Sequence, residues 1–404
     1  VPTRRKGALA TAARIPRAAL FATTTTLSVL ACAAPAHETP AVRAAPAPPL
    51  VPAASAVTAP PPTAAPAAPP ASGSATSTAP ASAAPPPTPA PTALARGTRT
   101  PADLALAEGD AALERDDAKH ALAAYQRAKR LAPRDPAPVA GIARATLAAT
   151  DAAPGLATAP NDRHLSALVA ELEAAKKLDP TYAPVERERG KALLVLGRAE
   201  PALEALEHAV TLVPNDLEAI SALGIALVAT GHADRALPHL QKAAALDPNT
   251  PDTFTNLGTA LLLLGQAGEA ADAFERAVLL DPDSARAHSD FGAACLAQGR
   301  FERAVSELTR ATALDPSRAT YRSNLAHALE VVGQLEQALM SAKRAVELDP
   351  KLGSAWIVFG TISAKLGRYG DARRAFERAR ALDPSDPRPG ANLEELEALE
   401  RSGK

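Results

Sequence analysis

The chain predicts an all-α solenoid, a stack of helical hairpins, and three observations carry that prediction. Seven prolines (Pro180, Pro214, Pro248, Pro282, Pro316, Pro350 and Pro384) recur at one constant interval, and a fixed period in the range of roughly 20–50 residues marks one supersecondary unit stacked repeatedly. Six of them follow an aspartate (Asp179, Asp247, Asp281, Asp315, Asp349, Asp383), with Val213 in the remaining place. Proline restrains its predecessor from the helical region and lacks the donor a helix interior needs, so each pair closes one helix and opens the next. Midway through each unit, at a fixed distance before the proline, stands Gly197, Gly231, Gly265, Gly299, Gly333 or Gly367. Glycine there ends the first helix in a left-handed conformation without Cβ strain.

The positions between follow the same register. Five places before each proline sits Ala175, Ala209, Ala243, Ala277, Ala311, Ala345 or Ala379, and twelve before it Ala202, Ala236, Ala270, Ala304, Ala338 or Ala372, with Leu168 in the earliest unit. Eight before it is a larger residue, Leu172, Leu206, Leu240, Phe274, Leu308 or Phe376, with Ala342 the exception. Small residues let two helix backbones approach, and large ones fill the gaps beside them. This pattern resembles the tetratricopeptide repeat. Unit 251–284 fits best, with Phe254, Leu257, Gly258, Leu261, Ala270, Phe274, Ala277 and Pro282 at the family's positions. The resemblance implies an α-α superhelical solenoid, in which no unit buries its apolar stripe alone.

Along the chain, residues 1–32 read as an export leader. Arg4, Arg5, Lys6, Arg14 and Arg17 are basic, and no acid precedes Glu38. Ala18–Ala31 is apolar but for four threonines and Ser28. A span needs roughly 20 apolar residues, so the stretch suits a signal-peptide core instead. Its end, Leu27-Ser28-Val29-Leu30-Ala31-Cys32, resembles a bacterial lipoprotein box, which implies acylation of Cys32 and a cell-envelope location, anchored to a membrane. Two other readings stand beside it: ordinary cleavage after Ala33 or Ala36 with secretion or periplasmic release, and a leader that is no signal on a cytoplasmic protein.

Residues 33–100 are almost wholly Ala, Pro, Ser and Thr, and residues 1–100 hold 20 of the 39 prolines. Such a segment buries too little to offset its ordering entropy, so a disordered linker is expected. Eight repeats are expected over 101–386. The first has Gly109, Ala121, Tyr125, Ala128 and Pro133 in register, with Asp116 in place of the turn glycine. The second exceeds the period, since Pro133 and Pro180 stand further apart than any later pair, and the surplus falls near 151–163, between its helices. In the tail, 387–404, Leu393, Leu396 and Leu399 alternate with Glu394, Glu395, Glu397 and Glu400, as a helix capping the last unit would.

Beyond residue 100 the chain has 35 basic and 43 acidic side chains, a net charge of −8 without a basic stripe. Nucleic acid is therefore not an expected partner. Of the two cysteines, Cys295 occupies the place Leu227 and Leu261 hold elsewhere, a core position. The eight histidines show no metal-ligand spacing, and no phosphate-binding glycine loop or nucleophile elbow occurs. No catalysis, cofactor or small-molecule substrate is expected.

What remains is a binding surface. By the resemblance, the first helix of each unit lines a concave groove that takes extended peptides or partner helices. Asn256, Asp290 and Asn324 recur there one period apart and resemble a short asparagine ladder like that of the O-GlcNAc transferases' repeat domain. The alternative is that they bridge adjacent helices. Arg187, Lys191 and His327 complete the expected partner-binding set, on a wall basic near unit three, apolar in units four and five and polar beyond. Ser221 and Ile225 replace the Lys and Asn that a carboxylate clamp would need. The expected function is a lipid-anchored protein–protein scaffold; a cytoplasmic adaptor and an accessory subunit that positions an enzyme are the alternatives.

Overall fold

The computed structural model describes residues 93–150 and 159–402. The leader with Cys32, the linker up to residue 92 and most of the 151–163 insertion lie outside the described residues. Within them there is no strand, and seventeen helices follow one another. Unit one holds α1 (Pro101–Glu114) and α2 (Ala118–Leu131); unit two α3 (Ala137–Ala148) and α4 (Arg163–Leu178); unit three α5 (Ala183–Val195) and α6 (Ala199–Leu212). Unit four holds α7 (Leu217–Ala229) and α8 (Ala233–Leu246); unit five α9 (Pro251–Leu263) and α10 (Ala267–Leu280); unit six α11 (Ala285–Ala297) and α12 (Phe301–Leu314). Unit seven holds α13 (Ala319–Val331) and α14 (Leu335–Leu348), unit eight α15 (Gly353–Lys365) and α16 (Tyr369–Leu382), and α17 (Arg388–Ser402) ends the array. Each helix packs on its chain neighbours, and each first helix also touches the first helix of the next unit. That is the connectivity of a solenoid.

Both turns of the unit have a readable chemistry. The mid-unit glycines all lie at positive φ, from 71° at Gly367 to 81° at Gly231. The residue after each returns its N–H to the first helix, as Gln266 does to the Leu261 carbonyl at 2.9 Å and Arg300 to Cys295 at 2.8 Å, closing a Schellman motif. Unit one closes identically, Asp117 to Ala112 at 2.9 Å, although Asp116 must take φ 60°, a region only glycine enters freely. At the other turn, the aspartate before proline does more than precede it. Its carboxylate accepts the N–H two residues on: Thr181 to Asp179 at 3.0 Å, Asn249 to Asp247 at 3.0 Å, Ser317 to Asp315 at 3.0 Å, Lys351 to Asp349 at 2.9 Å. This Asx turn arches over the proline and satisfies the N–H of a turn residue between the two helices. Val213 cannot do so; after it, Asp216 caps α7 by accepting the Ala219 N–H at 3.1 Å.

Inside the unit, a glycine on the first helix receives the large residue of the second. A methyl at Gly190, Gly224, Gly258, Gly292 or Gly360 would lie 2.4–2.8 Å from Leu206, Leu240, Phe274, Leu308 or Phe376. Tyr125 fills the same space beneath both Gly109 and Gly141. Unit seven explains the one departure in the sequence pattern: Ala326 takes the glycine's place where Ala342 takes the large residue's, and both are buried. The first helix gains a methyl where the second gives up a larger side chain, so the exchange compensates in part. Ala277 and Ala311 are fully buried, as is Cys295, whose thiol pKa burial pushes up.

Both ends are covered. Leu393 and Leu396 of α17 pack on Ala372 and Phe376, while Arg373 holds Glu397 at 3.5 Å and Glu400 at 2.6 Å on the outer side. At the start, residues 93–100, which composition assigns to the linker, lie against unit one. Leu94 is the reason: it is buried among the first units' core residues, and one leucine gives this end of an Ala/Pro-rich tract something to bury.

Candidate partner-binding face

Because first helix touches first helix, residues one period apart form columns. One column escaped the sequence reading: Arg187, Ser221, Thr255, Ser289 and Ser323 share a repeat position, and all are buried. The period alone aligns these positions, although only Arg187 and Ser221 stand out in the sequence. Among the described residues the Ser221 Oγ finds no hydrogen-bond partner, whereas Thr255 donates to the Pro251 carbonyl at 3.1 Å.

At unit three the face differs from the expected basic wall. Arg187 and Lys191 are each 1% exposed and Glu188 is 0% exposed, so they belong to a buried cluster of paired charges. Arg187 reaches Glu188 at 2.9 Å and Asp216 at 2.7 Å; Lys191 reaches Glu188 at 3.2 Å and Glu218 at 2.7 Å. Arg144 of α3 reaches Glu188 at 3.5 Å and Asp110 of α1 at 3.9 Å. Burial by itself would raise the carboxyls of Glu188 and Glu218, but Arg187 and Lys191 outweigh it and hold both below the usual range. The cause is sequence order: Glu188, Asp216 and Glu218 stand beside the cations at helix spacing and one unit on, and charges that close are retained in an interior only when paired.

The middle of the face holds the proposed ladder. Asn256 is 3% and Asp290 7% exposed. Asn324 donates to the Ser289 Oγ at 3.4 Å, a bridge between α13 and α11, and Arg286 lies 3.4 Å from Asp290. Burial pushes the Asp290 carboxyl up to about 6, against the pull of Arg286. The three residues thus stand in line, and the contacts of Asn324 and Asp290 run within the stack. The far end is open. His327, with a side chain 53% exposed, sits 3.1 Å from Glu330, and Lys365 of α15 approaches Glu330 from the other side at 2.5 Å. Burial of Glu330 would raise its pKa; His327 and Lys365 together bring it down.

The near end is occupied by the chain itself. The Leu94 and Ala95 N–H groups donate to Asp110 Oδ2 at 2.8 and 3.0 Å, and the Arg96 and Arg99 N–H groups to the two oxygens of Asp103 at 2.6 and 3.0 Å. The Arg96 guanidinium makes two bonds to Asp135, at 3.0 and 2.9 Å, and lies 5.2 Å from the Tyr182 ring centroid. Among the described residues no three metal-ligating side chains converge.

A stack of helical hairpins with a continuous first-helix face defines a repeat protein of the kind that serves as a protein–protein interaction scaffold. Models of the tetratricopeptide repeat match residues 187–251, 227–289, 261–328 and 323–387, and the chain is a tetratricopeptide-repeat protein. Among solved structures, the one titled as an APC/C hetero-tetramer, Cut9-Hcn1, is similar over 74% of this chain at 16% identity and a TM-score of 0.55, and the match spans 57% of that chain. Two shorter neighbours are YrrB, titled a TPR protein with an unusual peptide-binding site (24% identity, 46% of this chain, 96% of that one, TM-score 0.39), and TTC0263, a thermophilic TPR protein of Thermus thermophilus (24%, 45%, 99%, 0.40). No curated protein matches the chain.

Proposed function

We propose that this protein holds partner proteins along its first-helix face, that the ligand form is a non-helical stretch of polypeptide, and that an acylated Cys32 anchors the scaffold at the cell envelope. The observation that carries the binding mode is the docking of residues 94–99. Four main-chain N–H groups are held by carboxylates of α1, and an arginine is held by Asp135. Main-chain recognition tolerates many sequences, which suits a scaffold with several clients. The open end at His327 and Lys365 offers the free part of the same face, where Glu330 is shared between two cations.

Photo-crosslinking residues at positions 327 and 365 test the reading, with Met340, 73% exposed on the second helix of its unit, as the control. Clients should be captured from positions 327 and 365 through one contiguous segment of their own sequence, and not from 340. Equal capture from position 340, or attachment scattered over a client's surface, would refute it. For the anchor, fatty-acid labelling should mark the wild type and leave Cys32→Ser unmarked; an unlabelled wild type refutes that part alone.

A further inference from the structure

The sequence Leu94-Ala95-Arg96-Gly97-Thr98-Arg99 sits on this molecule as a ligand sits in a site. We propose that it is an intramolecular ligand, and that the first-helix face at units one to three is a site for a peptide bearing an apolar residue, a small residue and arginine in succession, which enters by displacing residues 94–99. The inference rests on the scaffold reading above and names the ligand chemistry of one end of that face.

Three features separate this segment from ordinary packing. Its recognition is divided as in a peptide complex: main-chain N–H groups go to Asp103 and Asp110, while side-chain specificity comes from Leu94, Arg96 and Thr98, whose side chain also bonds Asp103. Two of its three acceptors are also held independently of it. Asp110 accepts the Tyr125 hydroxyl at 2.8 Å, and Asp135 accepts the Ala137 N–H at 3.0 Å, so these two keep their places when the segment leaves, as the acceptors of a preorganised site must. Third, the bound segment is strained: Arg99 lies at φ 55° beside Gly97 at φ 73°, and a side-chain-bearing residue gains by leaving that region. Release costs no helix, because Pro101 begins α1 beyond the segment and Thr100 caps it by accepting the Asp103 N–H at 3.2 Å.

A tethered ligand is present at an effective concentration of order mM, so an external peptide meets a nearly filled site. The test uses the full chain and a fluorescent Leu-Ala-Arg-Gly-Thr-Arg peptide, read by anisotropy, with the composition-matched scramble beside it. Wild type should bind weakly. Leu94→Asp and Arg96→Ala, each loosening the tethered copy, should bind about tenfold more tightly or better. Adding Asp135→Ala to Arg96→Ala should abolish the gain. Arg96 is half-exposed, so its truncation leaves the fold intact should Leu94→Asp not fold. Hydrogen exchange at residues 94–96 confirms release. Released amides with no gain in peptide binding, or equal binding of the scramble, would overturn the proposal. Crosslinking at positions 327 and 365 that persists in that event would leave the scaffold reading standing.

Discussion

Gly258→Ala is the sharpest test of how the units are packed. The new methyl would lie 2.8 Å from Phe274 Cε1 and 2.9 Å from both Cδ1 and Cζ, and the ring has no exposed surface into which to move. Overpacking of that kind costs about 1–3 kcal/mol, while alanine in a helix interior gains about 1 kcal/mol over glycine. The net expectation is a loss of between roughly 0 and 2 kcal/mol. With Phe274→Ala the ring is gone, at a cost of about 3–5 kcal/mol for the cavity, and Gly258→Ala in that background should stabilise by about 1 kcal/mol. The double variant reproduces the Ala326–Ala342 pair of unit seven. The same substitution therefore changes sign with its background, a coupling of about 1–3 kcal/mol. Urea unfolding of the four proteins measures it, with hydrogen exchange in α9 and α10 as the local readout because repeat arrays unfold stepwise. A stabilising Gly258→Ala in the presence of Phe274 would mean that the ring yields at no cost, and the glycine–large-residue account would be wrong.

Three further outcomes follow from the electrostatics and one from the backbone. Glu188→Gln leaves Arg187 and Lys191 buried with one anion fewer and should destabilise by about 3–5 kcal/mol in urea. Asp290 is raised from 3.8 to about 6, so the folded chain binds the extra proton between those values and this group's contribution to stability falls as pH rises through them. Asp290→Asn should match wild type near pH 4 and exceed it at pH 8 by up to about 3 kcal/mol; a constant difference across pH would refute this. Asp103 is held below the carboxylate range, chiefly by the Arg96 N–H and also by that of Arg99. Its hold on residues 94–99 should persist at neutral pH and fail as pH falls through that lowered value, read as loss of amide protection at 96 and 99. Asp116→Gly should stabilise by about 1 kcal/mol, since Asp116 holds φ 60°; a lower melting temperature would show that its side chain matters more than its backbone.

The fold was legible because its signals are local and repeated. Proline, aspartate and glycine at fixed offsets dictate where helices end, and no distant contact can override them six times over. Ala342 was legible only as an exception, since its partner Ala326 lies on the other helix of the pair and the compensation is a property of two positions. The face was read less well. Arg187 and Lys191 look like free cations in the sequence, and only the stacking of α5 on α3 and α7 shows that Glu188, Asp216 and Glu218 enclose them. The ladder positions were found, yet the line between a bridging amide and a ligand-facing one depends on a few ångströms that periodicity does not encode; Asn324 on Ser289 shows the bridge. Residues 94–99 were missed because composition averages over a window, and a single leucine with a single arginine disappears in an alanine–proline tract.

The aspartate arch over each proline has a consequence for how such a molecule can change length. Asp247, Asp281, Asp315, Asp349 and Asp383 each make the same turn at the same interval. Cutting out 285–318 would join Ser284 to Ala319 across the same aspartate turn as the one removed, and duplicating that stretch would do the same. A gain or loss of one whole period thus keeps the backbone turn at every joint, while an insertion off the period by a single place throws Ser221, Thr255, Ser289 and Ser323 out of line. The chain's reach is quantised: it can be edited a whole unit at a time, like beads on a rod, and the face is re-indexed without being redesigned.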